Sequence, residues 1–227
     1  MTMKGRRNPD AHHRRSIRLA AHDYHAPGAY FVTLCTQGRE CVLDDPVVTG
    51  IITGAWQALP RWFPTIVLDE FVVMPSHVHM IAWLQPVGAT LAVAPDAVAP
   101  GAGASPAPTD GAAAAPLWNI PAPETPNLNP TLGDVIGAFK SLVFAVYLDW
   151  VQAHDPTRRA KFWQRNYYEH IIRDEEELHA MRRYIRNNPA RWALDRDNLA
   201  NLRRLTPPAR VEDYLADVQA AEAGHEA

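Results

Sequence analysis

Cysteine is scarce in this chain: Cys35 and Cys41 are the only two among 227 residues. Cys35 lies in an apolar run, and the pair supplies neither a disulfide framework nor the spacing of a zinc site. Long apolar stretches are missing as well. No segment approaches the ~18 uninterrupted apolar residues of a membrane span. The basic opening, Lys4, Arg6 and Arg7, has no apolar core behind it as a secretory leader would, so the expectation is a cytoplasmic protein with no membrane partner. Positive charge is not in excess either: 22 Lys and Arg against 25 Asp and Glu leave a formal charge of -3. Taken as a total, that argues mildly against nucleic acid, because phosphate binding draws its affinity from Lys and Arg that displace counterions. No helicase or ATP-binding motif is present.

The distribution of charge changes that reading. Basic residues gather in Lys4, Arg6, Arg7, Arg14, Arg15 and Arg18 and again from Arg158 to Arg210, while acidic residues from Glu212 to Glu226 offset the sum. With 47% hydrophobic and 21% charged residues, the chain has the composition of one soluble domain with a sizeable core.

The order of elements follows from local pattern. Pro27-Gly28 marks a turn before a β-rich run from Ala29 to Thr36, and Val48 to Phe63 places Ile51, Ile52, Ala55, Trp56, Leu59 and Trp62 at helical spacing until Pro64 stops it. Two β-rich runs follow, Ile66 to Leu68 and Phe71 to Met74. Pro75-Ser76 interrupts, and a strand resumes from His77 to Leu84, a pattern of adjacent antiparallel strands. From about 87 to 129 the chain turns to Ala, Pro and Gly with almost no charge, which reads as a flexible insertion within the domain. Thr131 caps a helix running to about Gln152, Phe162 to Ile172 reads as a last strand, and Asp174 caps a helix that Pro189 ends. Strand, helix, strand, strand, helix, strand, helix predicts an α+β domain, one antiparallel sheet with helices packed on it.

His77 and His79 are two apart in a strand, so both imidazoles leave one face with Cα atoms about 6.5–7 Å apart and can reach one metal ion. A His-Val-His triplet alone is equally a pair of histidines on a polar sheet face. Tyr184 and Asn188 are four apart on one helix and share a face, although a packing aromatic and a C-terminal cap before Pro189 have the same spacing. Tyr167 and Tyr168 compete with Tyr184 for any nucleophilic role, since they stand beside His170. Packing on the sheet or stacking on a base is the alternative use for them, and a hydrogen-bonded structural histidine the alternative for His170.

Six segments, in this order and spacing, resemble the HUH-type single-tyrosine transposases, and most closely the REP-associated tyrosine transposases. They are Arg15-Ser16-Ile17-Arg18-Leu19, Gly28-Ala29-Tyr30-Phe31-Val32-Thr33, Val73-Met74-Pro75-Ser76-His77-Val78-His79, Gly137-Ala138-Phe139-Lys140-Ser141, Trp163-Gln164-Arg165-Asn166-Tyr167-Tyr168-Glu169-His170 and Tyr184-Ile185-Arg186-Asn187-Asn188-Pro189. The insertion between Trp83 and Thr131 and the acidic tail depart from the family pattern without touching a motif.

The resemblance implies a ferredoxin-like HUH endonuclease fold. It implies His77 and His79 as metal ligands, Asn188 in the third-ligand position, and Tyr184 as nucleophile in a bacterial single-strand DNA endonuclease and strand transferase. That enzyme would form a 5′-phosphotyrosine bond on single-stranded or hairpin DNA of the REP type. A site of two imidazoles and a neutral amide, without a carboxylate, suggests a labile ion, Mg2+ or Mn2+, and no nucleotide cofactor is needed. Arg14, Arg15 and Arg18, with Arg182, Arg183 and Arg186, are the candidate phosphate contacts. The implied division is a basic arm over 1–28, a transposase domain over 29–192 and a C-terminal extension over 193–227, acting as monomer or homodimer. A domesticated hairpin-binding regulator without transposition activity and a replication or plasmid-relaxing nickase are the alternatives.

Overall fold

The computed structural model describes residues 22–88, 120, 122–157, 162–195, 198 and 201. Four strands form one antiparallel sheet: β1 (Gly28–Cys35), β2 (Ile66–Met74), β3 (His77–Leu84) and β4 (Tyr168–Ile172), in the spatial order β2-β3-β1-β4. Helix α1 (Pro46–Trp62) connects β1 to β2 and α2 (Leu132–His154) connects β3 to β4. This β-α-β-β-α-β order is the ferredoxin-like arrangement. A third helix, α3 (Glu175–Asn187), follows β4 and leads into a 3-10 turn, Pro189–Leu194.

The sheet is buried on both faces, and the alternation of each strand decides what each face meets. Tyr30, Val32 and Leu34 of β1 and Val78, Met80 and Ala82 of β3 join the main core under α1 and α2, with Ile51, Leu59, Ile136 and Phe139. Ala29 and Phe31 of β1 and Ile81 of β3 turn the other way and pack with Leu178, Met181 and Ile185 of α3. Each fully buried aliphatic side chain of this kind contributes on the order of 1.5–3 kcal/mol. His77 and His79 share the parity of Ile81, so they stand on the α3 face.

Local chemistry sets the ends of the helices. Asp45 accepts from the Val47 amide and Pro46 opens α1, so that helix begins two residues before the expected Val48. Thr131 and Asp134 form a reciprocal capping box on α2, and Asp174 accepts from Glu177 N at the start of α3, as the sequence predicts for both caps.

Three expectations change. The run from Phe162 to Ile172 is not one strand: Trp163 makes a single bridge to Thr36, and only Tyr168–Ile172 pairs along β1. The two runs Ile66 to Leu68 and Phe71 to Met74 are one strand with a bulge between Leu68 and Phe71. Within the expected insertion, Ile120 is 4% exposed in the main core and Asn127 N donates to Trp62 O, so its C-terminal end belongs to the packed domain. Residues 89–119 of that stretch, the basic arm through residue 21 and the acidic tail lie outside the described residues. Among the described residues, no helix is long and apolar enough to cross a membrane.

Candidate active site

The hairpin between β2 and β3 is held at its tip before the histidines begin. Thr36 donates from both its amide and its Oγ1 to Ser76 O, and Leu43 N donates to Pro75 O, so the first residue of β3 starts from a fixed point. His77 Nε2 and His79 Nε2 converge to 3.0 Å, and both side chains are fully buried. His79 Nδ1 lies 2.8 Å from Thr33 Oγ1, on the neighbouring strand directly opposite it. A proton on Nδ1, donated to Thr33, leaves the Nε2 lone pair facing His77, which is the tautomer a metal ligand requires.

Burial holds the pair neutral. It pushes His79 down to about 3, and it carries His77 well below the usual imidazole range, with His79 and Arg39 adding to the effect. Desolvation penalises the charged form, so the ring nitrogens are available as lone-pair donors without first losing a proton.

Helix α3 brings the tyrosine to this point. Tyr184 OH is 3.4 Å from His79 Nε2, and its ring packs edge-on against Phe31 and His79. Residues 105 positions apart in the chain are thereby joined within one molecule. Asn188, one turn further, keeps right-handed helical angles (φ -58, ψ -43), so Pro189 does not swing it out of line. Asn188 is 3% exposed, and its Oδ1 has no hydrogen-bond partner among the described residues. An amide oxygen buried in that state costs about 1–3 kcal/mol unless something binds it.

A carboxylate that the sequence did not suggest completes the cluster. Asp195 Oδ2 lies 3.8 Å from His77 Nε2, and one donor atom from each of His77, His79 and Asp195 falls within 4.8 Å of the others, all three residues being buried. The 3-10 turn after α3 carries Asp195 there, with Trp192 packed 5.9 Å from the His77 ring. No periodicity or spacing ties Asp195 to the histidines, and it falls in the segment assigned to the C-terminal extension. Thr33 was also missed; its signal is a hydroxyl residue at the α3-facing position of an otherwise apolar strand.

The donor set fits a divalent cation. Two imidazole nitrogens at 3.0 Å have the separation of adjacent ligands each about 2.1 Å from one ion. A buried carboxylate and an orphaned amide oxygen supply the harder donors that Mg2+ and Mn2+ prefer. The expectation of a site without a carboxylate is therefore corrected.

The other expected residues are placed as follows. Tyr167 is buried in the main core and Tyr168 is exposed on β4. His170 Nε2 lies 2.5 Å from Glu177 Oε1, a contact that ties β4 to the first turn of α3. Arg182, expected among the phosphate contacts, is instead 6% exposed and donates from Nε and Nη2 to Asp69. Arg183 and Arg186 are exposed, and Arg186 pairs with Glu70. Arg14, Arg15 and Arg18 lie outside the described residues.

The fold and site define an α+β protein with a buried His-His-Asp cluster and a tyrosine at its edge. The chain belongs to the same family as a Haemophilus influenzae protein described as uncharacterized, with which it is 31% identical over 199 residues, covering 83% of this chain and 94% of that one. No protein-family model matches it. Two solved structures are similar at lower levels. One is a REP-associated tyrosine transposase bound to a REP hairpin, at TM-score 0.44 and 15% identity, covering 79% of this chain and 77% of that one. The other, from Deinococcus radiodurans R1 and provisionally assigned as a transposase, has TM-score 0.40 and 15% identity, covering 75% of this chain and 95% of that one.

Proposed function

We propose that the protein is a metal-dependent single-strand DNA endonuclease and strand transferase in which Tyr184 is the nucleophile. The observation that carries this reading is the approach of Tyr184 OH to 3.4 Å from His79 Nε2, itself 3.0 Å from His77 Nε2. The order of motifs that resembles the HUH-type transposases supports the same assignment.

In this reading His77 and His79 hold the ion, with an oxygen from Asn188 or Asp195. When bound, a Mg2+ or Mn2+ ion supplies polarisation of the scissile phosphate and an offset to its negative charge. Tyr184, fixed against Phe31 and His79, presents its phenolic oxygen to the phosphorus. The bond from the phenolic oxygen to phosphorus forms as the bond to the 3′ oxygen breaks. The phenol proton passes to solvent, and the leaving oxygen takes one up to become a free 3′-hydroxyl. The 5′-phosphotyrosine keeps the free energy of the phosphodiester, so rejoining to another 3′-hydroxyl requires no nucleotide cofactor. Substrates of this chemistry are single-stranded DNA beside a hairpin of the REP type. Exposed Arg183, with Arg14, Arg15 and Arg18 of the basic arm, supplies the proposed phosphate contacts.

A labelled single-stranded oligonucleotide carrying a hairpin tests the assignment. With Mn2+ the protein should form a covalent adduct stable to denaturation; Tyr184→Phe should abolish it, and the double variant His77→Ala, His79→Ala should lower it by on the order of 100-fold or more. Adduct formation that survives Tyr184→Phe refutes the nucleophile. Tight hairpin binding with no cleavage in any divalent ion would instead identify a DNA-binding regulator.

A further inference from the structure

The bulge in β2 has a consequence for α3. Leu68 pairs with Ala82 and Phe71 with Met80, so two residues, Asp69 and Glu70, oppose the single residue Ile81. In an unbroken strand consecutive side chains leave opposite faces, and one of these carboxylates would point into the apolar core under α1 and α2. The extra residue leaves Leu68 and Phe71 against that core and turns both carboxylates toward α3. Each meets an arginine there. Asp69 accepts from Arg182 in a two-bonded pair, Nε to Oδ1 at 2.9 Å and Nη2 to Oδ2 at 2.7 Å, and also from Trp83 Nε1 at 2.8 Å. Glu70 Oε1 accepts from Arg186 Nε at 2.7 Å and from its Nη2. Arg182 and Arg186 are one helical turn apart, and Tyr184 lies between them in the chain.

The geometry points to Asp69 and Glu70 as positioning residues, a two-pronged ionic clasp that fixes the rotation and height of α3 on the sheet and thereby holds the Tyr184 hydroxyl at His79. Apolar contacts of Met181 and Ile185 hold the helix down but are tolerant of sliding. The Arg182–Asp69 pair, with two parallel bonds to two oxygens, fixes direction, and Arg186, with two nitrogens on Glu70 Oε1, adds a second anchor one turn on. Adjacent acidic residues at a bulge thus reach two arginines spaced by one turn, and neither pair alone would define both degrees of freedom. The inference rests on the proposed role of Tyr184, and it gives Arg182 and Arg186 a task separate from contacting phosphate.

The test uses the full chain labelled with fluorotyrosine, the Tyr184 fluorine resonance being assigned by its loss in Tyr184→Phe. Asp69→Asn and Glu70→Gln should each move that resonance toward the position of a solvent-exposed tyrosine. At saturating hairpin oligonucleotide with Mn2+, each should slow adduct formation by on the order of 100-fold, with oligonucleotide affinity unchanged. In the Glu70 pair the Arg186 side chain is half-exposed, unlike the buried Arg182, so Glu70→Gln keeps the test open should Asp69→Asn fail to fold. Reversal of that pair, Glu70→Arg with Arg186→Glu, should restore both resonance and rate. The clasp is overturned if the two carboxylate variants leave the resonance in place, or if Arg186→Glu loses oligonucleotide binding and the reversed pair does not regain the rate. A wild-type protein that forms no adduct removes the proposed activity instead, and the fluorine resonance alone then decides the clasp.

Discussion

His79 uses both ring nitrogens inside the protein: Nδ1 meets Thr33 Oγ1 at 2.8 Å and Nε2 meets His77 Nε2 at 3.0 Å. That arrangement ties stability to pH. In the unfolded chain an imidazole titrates near ~6.5, whereas burial pushes folded His79 down to about 3 and lowers His77 as well. As pH falls below the unfolded value, the unfolded state takes up protons that the folded state refuses. The histidines impose no penalty above about 6.5, and the penalty grows by ~1.4 kcal/mol per pH unit for each imidazole held neutral, until the folded pKa is passed. The urea midpoint of the metal-free protein should therefore fall between about pH 7 and pH 5, and His79→Gln should make that fall shallower. A wild-type midpoint that stays level across the range would contradict the buried neutral pair. The spacing of His77 and His79 was readable because strand parity is a local rule. Asp195 was not, because it reaches them through a 3-10 turn whose direction depends on how α3 seats on the sheet.

At the scale of elements, the strands and helices whose pattern agrees with their caps were legible: α2 and α3 begin after the caps expected at Thr131 and Asp174. The stretch from Phe162 to Ile172 was not, because aromatic and β-branched composition favours a strand without saying which residues find a partner. Residues 164–167 leave the sheet, and Lys140 explains where they go. From α2 its Nζ donates to Gln164 O at 2.6 Å and Arg165 O at 3.0 Å, while Gln164 N donates to Cys35 O. Lys140 lies off the apolar stripe of its helix, and that position is what lets it gather these carbonyls. Lys140→Met should cost about 1.5 kcal/mol in thermal unfolding and speed hydrogen exchange at the Gln37 and Gln164 amides, which bond Phe162 O and Cys35 O. Unchanged protection at both amides would show that the loop is held by something other than the lysine. The β2 bulge was hidden for a related reason: Asp69-Glu70 reads as a gap between two apolar runs until the partner strand supplies the register.

At the scale of the molecule, the order of the sheet decides who supplies the site. Placing β3 beside β1 brings His79 against Thr33, and the return of the chain after β4 lays α3 across the same face. The sequence left open whether the tyrosine helix reaches its own histidines or those of a second copy, since spacing along a chain says nothing about which sheet a helix crosses. Here the contact of Tyr184 with His79 is made within one chain, and Phe31, Trp83 and Ile81 of the same sheet form the bed of the helix. A site built this way needs no partner subunit for its constituents. Mixing two inactive proteins, Tyr184→Phe and the double variant His77→Ala, His79→Ala, should therefore restore no adduct formation at any ratio or concentration, although each retains the half the other lacks. Exchange of α3 between copies would instead rebuild an intact site in the mixture. Recovery of activity that rises with protein concentration would show that the active form pairs one chain's tyrosine with another's histidines.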